Sequence, residues 1–136
     1  MKCNFSLFTL LLLSSIGFSN PGKKGFDITG TWEGIESVGT KPVTMIFKTD
    51  SSLIFIEKGD TVKLHNSSVS YALDPSPNPK WLDIVFTFKT GQKEHMQCLL
   101  KVNSPNKIKI SYRENSRERP TDFNEKDPVM ALSRKK

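Results

Sequence analysis

Apolar and polar residues alternate along most of the chain after residue 20. Such alternation is typical of β-strands that bury one face, and no segment there repeats convincingly with the helical period of 3.6 residues. Short clusters of turn residues separate the alternating runs, most clearly at Asn103–Asn106. The pattern predicts eight strands: Gly30–Ser37, Pro42–Thr49, Ser52–Lys58, Thr61–Leu73, Lys80–Lys89, Glu94–Val102, Lys107–Tyr112 and Val129–Ser133.

The predicted strands are short and closely spaced. Eight antiparallel strands joined by short turns favour an up-and-down β-barrel or a closely related sandwich, and closure of a barrel removes exposed strand edges. The interior of such a barrel is either just filled by side chains or able to hold one small ligand. We therefore predict an all-β fold, an eight-stranded antiparallel up-and-down barrel.

The apolar row of each strand faces the interior of this barrel. These side chains form the core by default, and some of them line a pocket if the barrel is not completely filled. The residues predicted to line such a cavity are Met45, Phe47, Phe55, Ile84, Phe86, Phe88, Met96, Leu100 and Tyr112.

The first 20 residues have a different pattern. Lys2 precedes a nearly unbroken apolar run, Phe5–Ile16, and the small residues Gly17 and Ser19 then precede Asn20. This is the pattern of a signal peptide, residues 1–19, cleaved near Ser19/Asn20. A membrane anchor is the alternative, but a spanning helix needs about 20 apolar residues. We expect a secreted or periplasmic protein that does not span the membrane, with one domain at residues 20–136.

Charge and cysteine content narrow the function classes. The formal net charge is +6 at pH 7, but the lysines are scattered along the predicted strands, which favours a solvated face and disfavours nucleic-acid binding. Lysines on outward faces and short strands also disfavour an outer-membrane barrel. Cys98 is the one cysteine after the signal, and it is either a small buried hydrophobe or, alternatively, a reactive thiol or the site of an intermolecular bridge. We expect a monomer.

The candidate chemical groups do not form a recognised catalytic set. Asp74 and Asp83 flank a proline-rich segment and could act as an acid–base pair or as calcium ligands, but Asp before Pro commonly starts a turn. His65 and His95 are far apart in sequence, without the spacing of a zinc site. The sequence predicts no enzyme activity, no metal site and no cofactor.

Two sets of residues resemble a known family. Gly30 and Trp32, followed at the end of the last strand by Arg134, resemble the Gly-x-Trp signature and terminal Arg of the lipocalins. In the lipocalins this Trp closes the barrel bottom and the Arg packs across its ring. Over nearly the whole chain after the signal, the sequence also resembles a family of small lipocalin-like bacterial domains of uncharacterised function.

The second resemblance is carried by two further motifs. One is the run YALDPSPNPKWLDIVF, with Asp74, Pro79 and Asp83, and the other is RERPTDF, with Arg119 and Pro120. The segment MQCLLKV lacks the Gly and Tyr that this family usually has in the sixth strand. The resemblance implies a calycin-like barrel and a secreted location, and it implies no particular ligand or reaction.

Two functions remain open at this stage. The first is binding of a small apolar or amphipathic ligand inside the barrel. The second is a protein-interaction or inhibitor module that would use the mixed-charge loop at residues 113–127 and the barrel rim. Arg119 in that loop is expected to pair with Asp83 or Asp74 as a structural clamp, or to contact an anion.

Overall fold

Nine β-strands form the regular structure of the computed structural model, which describes residues 25–57, 60–61, 68–114, 116–124 and 126–136. The predicted signal peptide and His65 lie outside these residues. The strands are β1 (Gly30–Glu36), β2 (Lys41–Phe47), β3 (Leu53–Glu57), β4 (Asp60–Thr61), β5 (Ser68–Asp74), β6 (Lys80–Thr87), β7 (Lys93–Ser104), β8 (Lys107–Ser111) and β9 (Val129–Arg134). The part of the chain that is described contains no helix, and so none that could cross a membrane.

All nine strands belong to one antiparallel sheet in the order β4-β3-β2-β1-β9-β8-β7-β6-β5. Most neighbours in the sheet are also neighbours in sequence, as expected for hairpins with short turns. The exception is the pair β1 and β9, which joins the two ends of the chain, with Trp32 opposite Arg134. The predicted fourth strand corresponds to two strands in the structure, the two-residue β4 and β5.

The sheet curls until β3 approaches β5. Ser52 and Ser70 form an isolated antiparallel bridge, and the Tyr71 backbone N–H donates to the Ser51 carbonyl (2.9 Å). The Tyr71 hydroxyl donates to the Lys48 carbonyl (2.7 Å). We call this contact between β3 and β5 the seam. It makes the sheet a nearly closed barrel, so the prediction of an all-β, antiparallel, lipocalin-like barrel is confirmed at the level of the fold.

One end of the barrel is sealed by Trp32 and Arg134. Trp32 is completely buried, and its indole N–H donates to the Ile28 carbonyl (2.8 Å). The Arg134 guanidinium lies 4.2 Å from the centre of the Trp32 ring, a cation–π contact, and also donates to the Thr29 carbonyl (2.5 Å). We call this the closed end, where β1 begins and β9 ends.

Gly30 is required at the closed end for two reasons. Its φ is +120°, a conformation that side chains rarely adopt, and a Cβ there would lie 2.9 Å from Arg134 Nη1. The Gly-x-Trp motif therefore has a direct physical basis, because the glycine leaves the space that the arginine fills.

The proline-rich segment between β5 and β6 is a tight corner. The Asp74 carboxylate accepts a hydrogen bond from the Ser76 backbone N–H (3.0 Å), which is the local turn chemistry expected of Asp. The Asn78–Pro79 peptide bond is cis. The ammonium of Lys80 donates to the Pro75 carbonyl (3.1 Å) and ties the corner to the start of β6.

Candidate functional site

A cavity of about 260 Å³ opens at the end of the barrel opposite Trp32. We call this the mouth, where β1 ends, β2 begins and β8 ends. The cavity wall is mainly apolar, while its rim carries charged and hydroxyl groups. The apolar wall consists of Met45, Leu53, Phe55, Val69, Ile84, Phe86, Met96 and Met130.

Strand alternation and register bring the wall together. Met45 on β2 lies directly opposite Phe55 on β3, and Ile84 on β6 lies opposite Met96 on β7. Side chains at opposed positions point to the same face of an antiparallel sheet, here the barrel interior. The same pairs that pack the sheet therefore form the cavity wall.

Six of the nine side chains predicted to line a cavity do so in the structure: Met45, Phe55, Ile84, Phe86, Met96 and Tyr112. Phe47 and Leu100 lie instead in the core near the closed end and are almost completely buried. They face inward as predicted, but they are opposite Gly30 and Lys80, where β1 and β6 begin.

Phe88 lies elsewhere because β6 ends at Thr87. Its backbone N–H donates to the Gln92 carbonyl (2.9 Å), so Phe88 belongs to the turn that leads to β7. The alternating row of β6 therefore supplies the cavity only as far as Phe86.

Three apolar wall residues were not selected from the sequence: Leu53, Val69 and Met130. All three lie on predicted strands, in Ser52–Lys58, Thr61–Leu73 and Val129–Ser133, and their apolar character is the signal that marks them as candidates. What the alternation does not give is the depth of each side chain along the barrel axis, which decides between core and cavity.

The rim combines carboxylates from three parts of the chain. Glu36 ends β1, Glu57 ends β3 and Glu114 follows β8, and all three line the cavity together with Lys41. Lys41 Nζ lies 3.3 Å from the Glu57 carboxylate. Among the described lining residues, the rim thus holds three carboxylates against one ammonium.

Glu36 is the most constrained of these carboxylates. The Tyr112 hydroxyl donates a hydrogen bond to it across the mouth. Partial burial raises the pKa of Glu36, and the neighbouring Glu57 and Glu114 raise it further, while Lys41 acts in the opposite direction. A positive charge near Glu36 would therefore be favourable.

An open cleft of about 620 Å³ adjoins the mouth and shares Phe86, Met96, Tyr112 and Glu114 with the cavity. Besides apolar and acidic residues, the cleft is lined by basic side chains, including Lys93 and Arg117. Arg113 in this cleft is already paired, with nitrogens 3.3 Å from Glu118 and 3.5 Å from Asp127.

Asp83 and Asp74, the two candidate catalytic carboxylates, have separate structural partners. Asp83 accepts a hydrogen bond from Arg119 Nη2 (2.6 Å), whereas Asp74 is engaged by Ser76. Arg119 Nη1 also donates to the Cys98 carbonyl (2.6 Å), and its guanidinium lies 4.7 Å from the centre of the Trp81 ring. We call this arrangement the Arg119 clamp; it matches the expected pairing with Asp83.

The remaining candidate groups are placed apart from the cavity. Cys98 is fully buried as a free thiol, and burial raises its pKa to about 12. His95 lines the outer cleft. In the part of the chain that is described, no three His, Cys, Asp or Glu side chains are grouped closely enough to hold a metal ion.

Comparisons of this chain with protein-family models, with curated proteins and with solved structures find no match. The resemblance to lipocalin-like bacterial domains therefore stays a prediction from the sequence motifs.

Proposed function

We propose that this protein binds a small apolar or amphipathic molecule in the cavity at the mouth of the barrel. The observation that carries the proposal is the unfilled apolar space of about 260 Å³ between Met45, Phe55, Ile84 and Phe86. Protein interiors are normally packed without voids of this size. An engineered apolar cavity of about 150 Å³ is large enough to bind benzene, so a compact molecule or a short alkyl chain fits this one.

The cavity composition supports ligand binding over simple core packing. Methionines at positions 45, 96 and 130 contribute three flexible, polarizable walls, which adapt to ligands of different shapes. A mostly apolar pocket with a few polar groups at one end is the usual form of a small-molecule site. The polar rim would orient an amphipathic ligand with its tail inside.

The methionines also provide the test. The chain has four methionines, and three of them line the cavity. With ¹³C-methyl-labelled methionine, titration with 1-octanol, octylamine and octanoate is expected to shift the NMR signals of Met45, Met96 and Met130, with saturation of the shifts for at least one compound.

A pair of variants separates binding in the cavity from binding at the surface. Val69→Phe replaces a small side chain at the cavity wall by a phenyl ring, which should fill the cavity and abolish the shifts of the methionine signals. Val85→Phe makes the same replacement on β6 outside the cavity lining and should leave the shifts intact. Both proteins are checked for folding by circular dichroism. If no octyl compound shifts the methionine signals, or if Val69→Phe binds as well as the parent protein, the proposal fails.

A protein-interaction role is the second candidate, supported by one observation. Trp81 is 45% exposed beneath the Arg119 guanidinium, and exposed Trp and Arg are enriched at the centres of protein interfaces. Deleting the 113–127 loop would also remove the Arg119 clamp, so Trp81→Ala is the cleaner test. If this surface binds a protein partner, Trp81→Ala should abolish the stoichiometric complex. A complex that persists in Trp81→Ala would contradict a role of the surface in binding the partner.

A further inference from the structure

We propose that the ligand of the cavity carries a cationic head group, such as a primary ammonium on a short alkyl or aryl chain. The inference rests on the proposed function, because it assumes that the cavity takes a ligand, and it adds the chemical class of that ligand. The tail would lie between Met45, Phe55 and Ile84, and the head group at the rim.

The rim of the cavity carries more negative than positive charge. Glu36, Glu57 and Glu114 line the cavity with Lys41 as the one described cation among the lining residues. Lys41 is held by Glu57 at 3.3 Å. Glu36 and Glu114 thus remain as carboxylates without an ion pair among the described residues, and both lie where a bound head group would reach water.

The rim also offers hydrogen-bond acceptors that match the donors of an ammonium group. A primary ammonium has three N–H donors and no acceptor, whereas a carboxylate only accepts. Glu36 receives one hydrogen bond from the Tyr112 hydroxyl, which leaves acceptor positions on the carboxylate and on the phenol oxygen. A cation therefore finds acceptors at the rim, while an anionic head group would face repulsion from Glu36 and Glu114.

The basic groups of the neighbouring cleft do not reverse the preference for a cation. Arg113 already contacts Glu118 and Asp127. Lys93 and Arg117 line the open cleft but not the cavity. Glu114 lines both the cleft and the cavity, and water and salt screen charges in an open cleft, so the carboxylates at the cavity rim are the charges nearest to a head group there.

The aromatic rings at the mouth also favour a cationic head group. Phe55, Phe86 and Tyr112 line the cavity, and the faces of aromatic rings attract cations. An apolar wall with aromatic rings near acidic groups therefore suits an aliphatic or aromatic amine better than a fatty acid.

The test compares three ligands with the same tail and different head groups. Octylammonium, 1-octanol and octanoate are titrated separately at pH 7 and low salt by calorimetry. Octylammonium is expected to bind about tenfold more tightly than octanol, and octanoate most weakly, because each close charge contributes on the order of a tenfold change in affinity. The preference for octylammonium should shrink as salt is added.

Matched substitutions identify the carboxylates involved. Glu36→Gln and Glu114→Gln should each weaken octylammonium by about three- to tenfold and leave octanol unchanged. Glu33→Gln is the control, since Glu33 lies on the same strand but contacts Lys135 (2.7 Å) away from the cavity. All three changes keep the size of the side chain, so differences in affinity report charge.

The outcomes distinguish the two proposals. If octanol or octanoate binds as tightly as octylammonium, the cationic head group is wrong and the ligand-binding function stands. If Glu36→Gln and Glu114→Gln weaken all three ligands equally, the rim acts through shape and the inference also fails. If none of the three ligands binds, both the inference and the proposed function fail.

Discussion

Arg119 joins three features of the barrel wall through a single side chain. Its guanidinium bonds Asp83 and the Cys98 carbonyl and covers the Trp81 ring. Cys98 lies one residue beyond the last β7–β8 pair, Leu99 with Ser111, so Arg119 supplies the hydrogen bond to β7 where β8 has ended. The clamp thus continues the hydrogen bonding of β7 beyond the end of β8, with a planar group that Lys cannot replace.

Replacing Arg119 by Lys should lower the free energy of unfolding by about 1–3 kcal/mol, because one ammonium cannot serve the carboxylate and the carbonyl in the same geometry. Urea unfolding followed by circular dichroism measures the change. Arg117→Lys, an exposed position two residues earlier, should change stability by less than about 0.5 kcal/mol. Equal effects at both positions would contradict the clamp.

Cys98 provides a second test at the residue scale. Burial raises the pKa of its thiol to about 12, so at pH 8 the native protein holds it as the unreactive thiol. In a protein with Cys3 changed to Ser, Ellman's reagent should react fully in urea but only at the rate of unfolding in buffer. Rapid stoichiometric labelling of the native protein would restore the interpretation of a reactive thiol.

The residue motifs show what a sequence can and cannot predict. The Trp32–Arg134 stack is what the resemblance to the lipocalins implies, and the Asp83–Arg119 pair is one of the pairings that the charges of the motif residues leave open. The Glu36–Tyr112 contact does not, because its residues are 76 positions apart and the geometry of the mouth places them together. The positions of such rim residues relative to one another depend on where each strand ends. The alternation of apolar and polar residues specifies the strand ends poorly.

At the scale of elements, Gly34 allows β1 and β9 to approach each other closely. A Cβ at Gly34 would lie 1.8 Å from the Ala131 carbonyl oxygen, a backbone atom that cannot move without shifting β9. Gly34 lies inside the predicted strand Gly30–Ser37, where a glycine ordinarily weakens a strand. In the structure β1 continues through it, and the glycine is the position that the neighbouring strand requires to be small.

Gly34→Ala should therefore lower the free energy of unfolding by about 1–3 kcal/mol through overpacking of two backbones. Gly25→Ala is the matched control, because a Cβ at Gly25 meets nothing within 4 Å. Thermal unfolding of both variants measures the difference. Full stability of Gly34→Ala would mean that the strands separate easily at this point.

The outer face of β7 shows where alternation alone misleads. The alternation of apolar and polar residues predicts that Leu99 faces solvent, yet Leu99 and its partner Ser111 are buried. Arg119 holds the loop after β8 beside this pair by its bond to the adjacent Cys98 carbonyl. A loop that folds back over a sheet buries a face that the strand pattern assigns to solvent.

At the scale of the whole molecule, the seam is the weakest part of the barrel wall. Among the described residues, one bridge, Ser52 with Ser70, pairs β3 with β5, whereas β1, β8 and β9 are hydrogen-bonded to strands on both sides. Strands with few cross-strand hydrogen bonds open locally at lower cost. The seam is therefore the natural place for the barrel to open.

Hydrogen exchange followed by mass spectrometry should show faster exchange in β3 and β5 than in β1, β8 and β9. Tyr71→Phe removes the hydroxyl bond to the Lys48 carbonyl and should accelerate exchange at the seam without changing that of β8. Uniform protection across all strands would show that the seam is as firmly closed as the rest of the sheet.

The pairing of β1 with β9 also determines how the molecule responds to a pulling force. Both strands reach the closed end together, and the Asp27 carbonyl accepts a hydrogen bond from Arg134 (2.8 Å). A load applied between residues 25 and 136 therefore acts across the end of an antiparallel pair, whose hydrogen bonds run perpendicular to the strands. The pair is peeled apart one bond at a time, rather than sheared along its length. The first contacts to carry the load are the hydrogen bonds of Lys135 to Thr31 and of Arg134 to Asp27 and Thr29, which lie beside the stack on Trp32. The residues that seal the closed end therefore also resist the separation of β1 from β9.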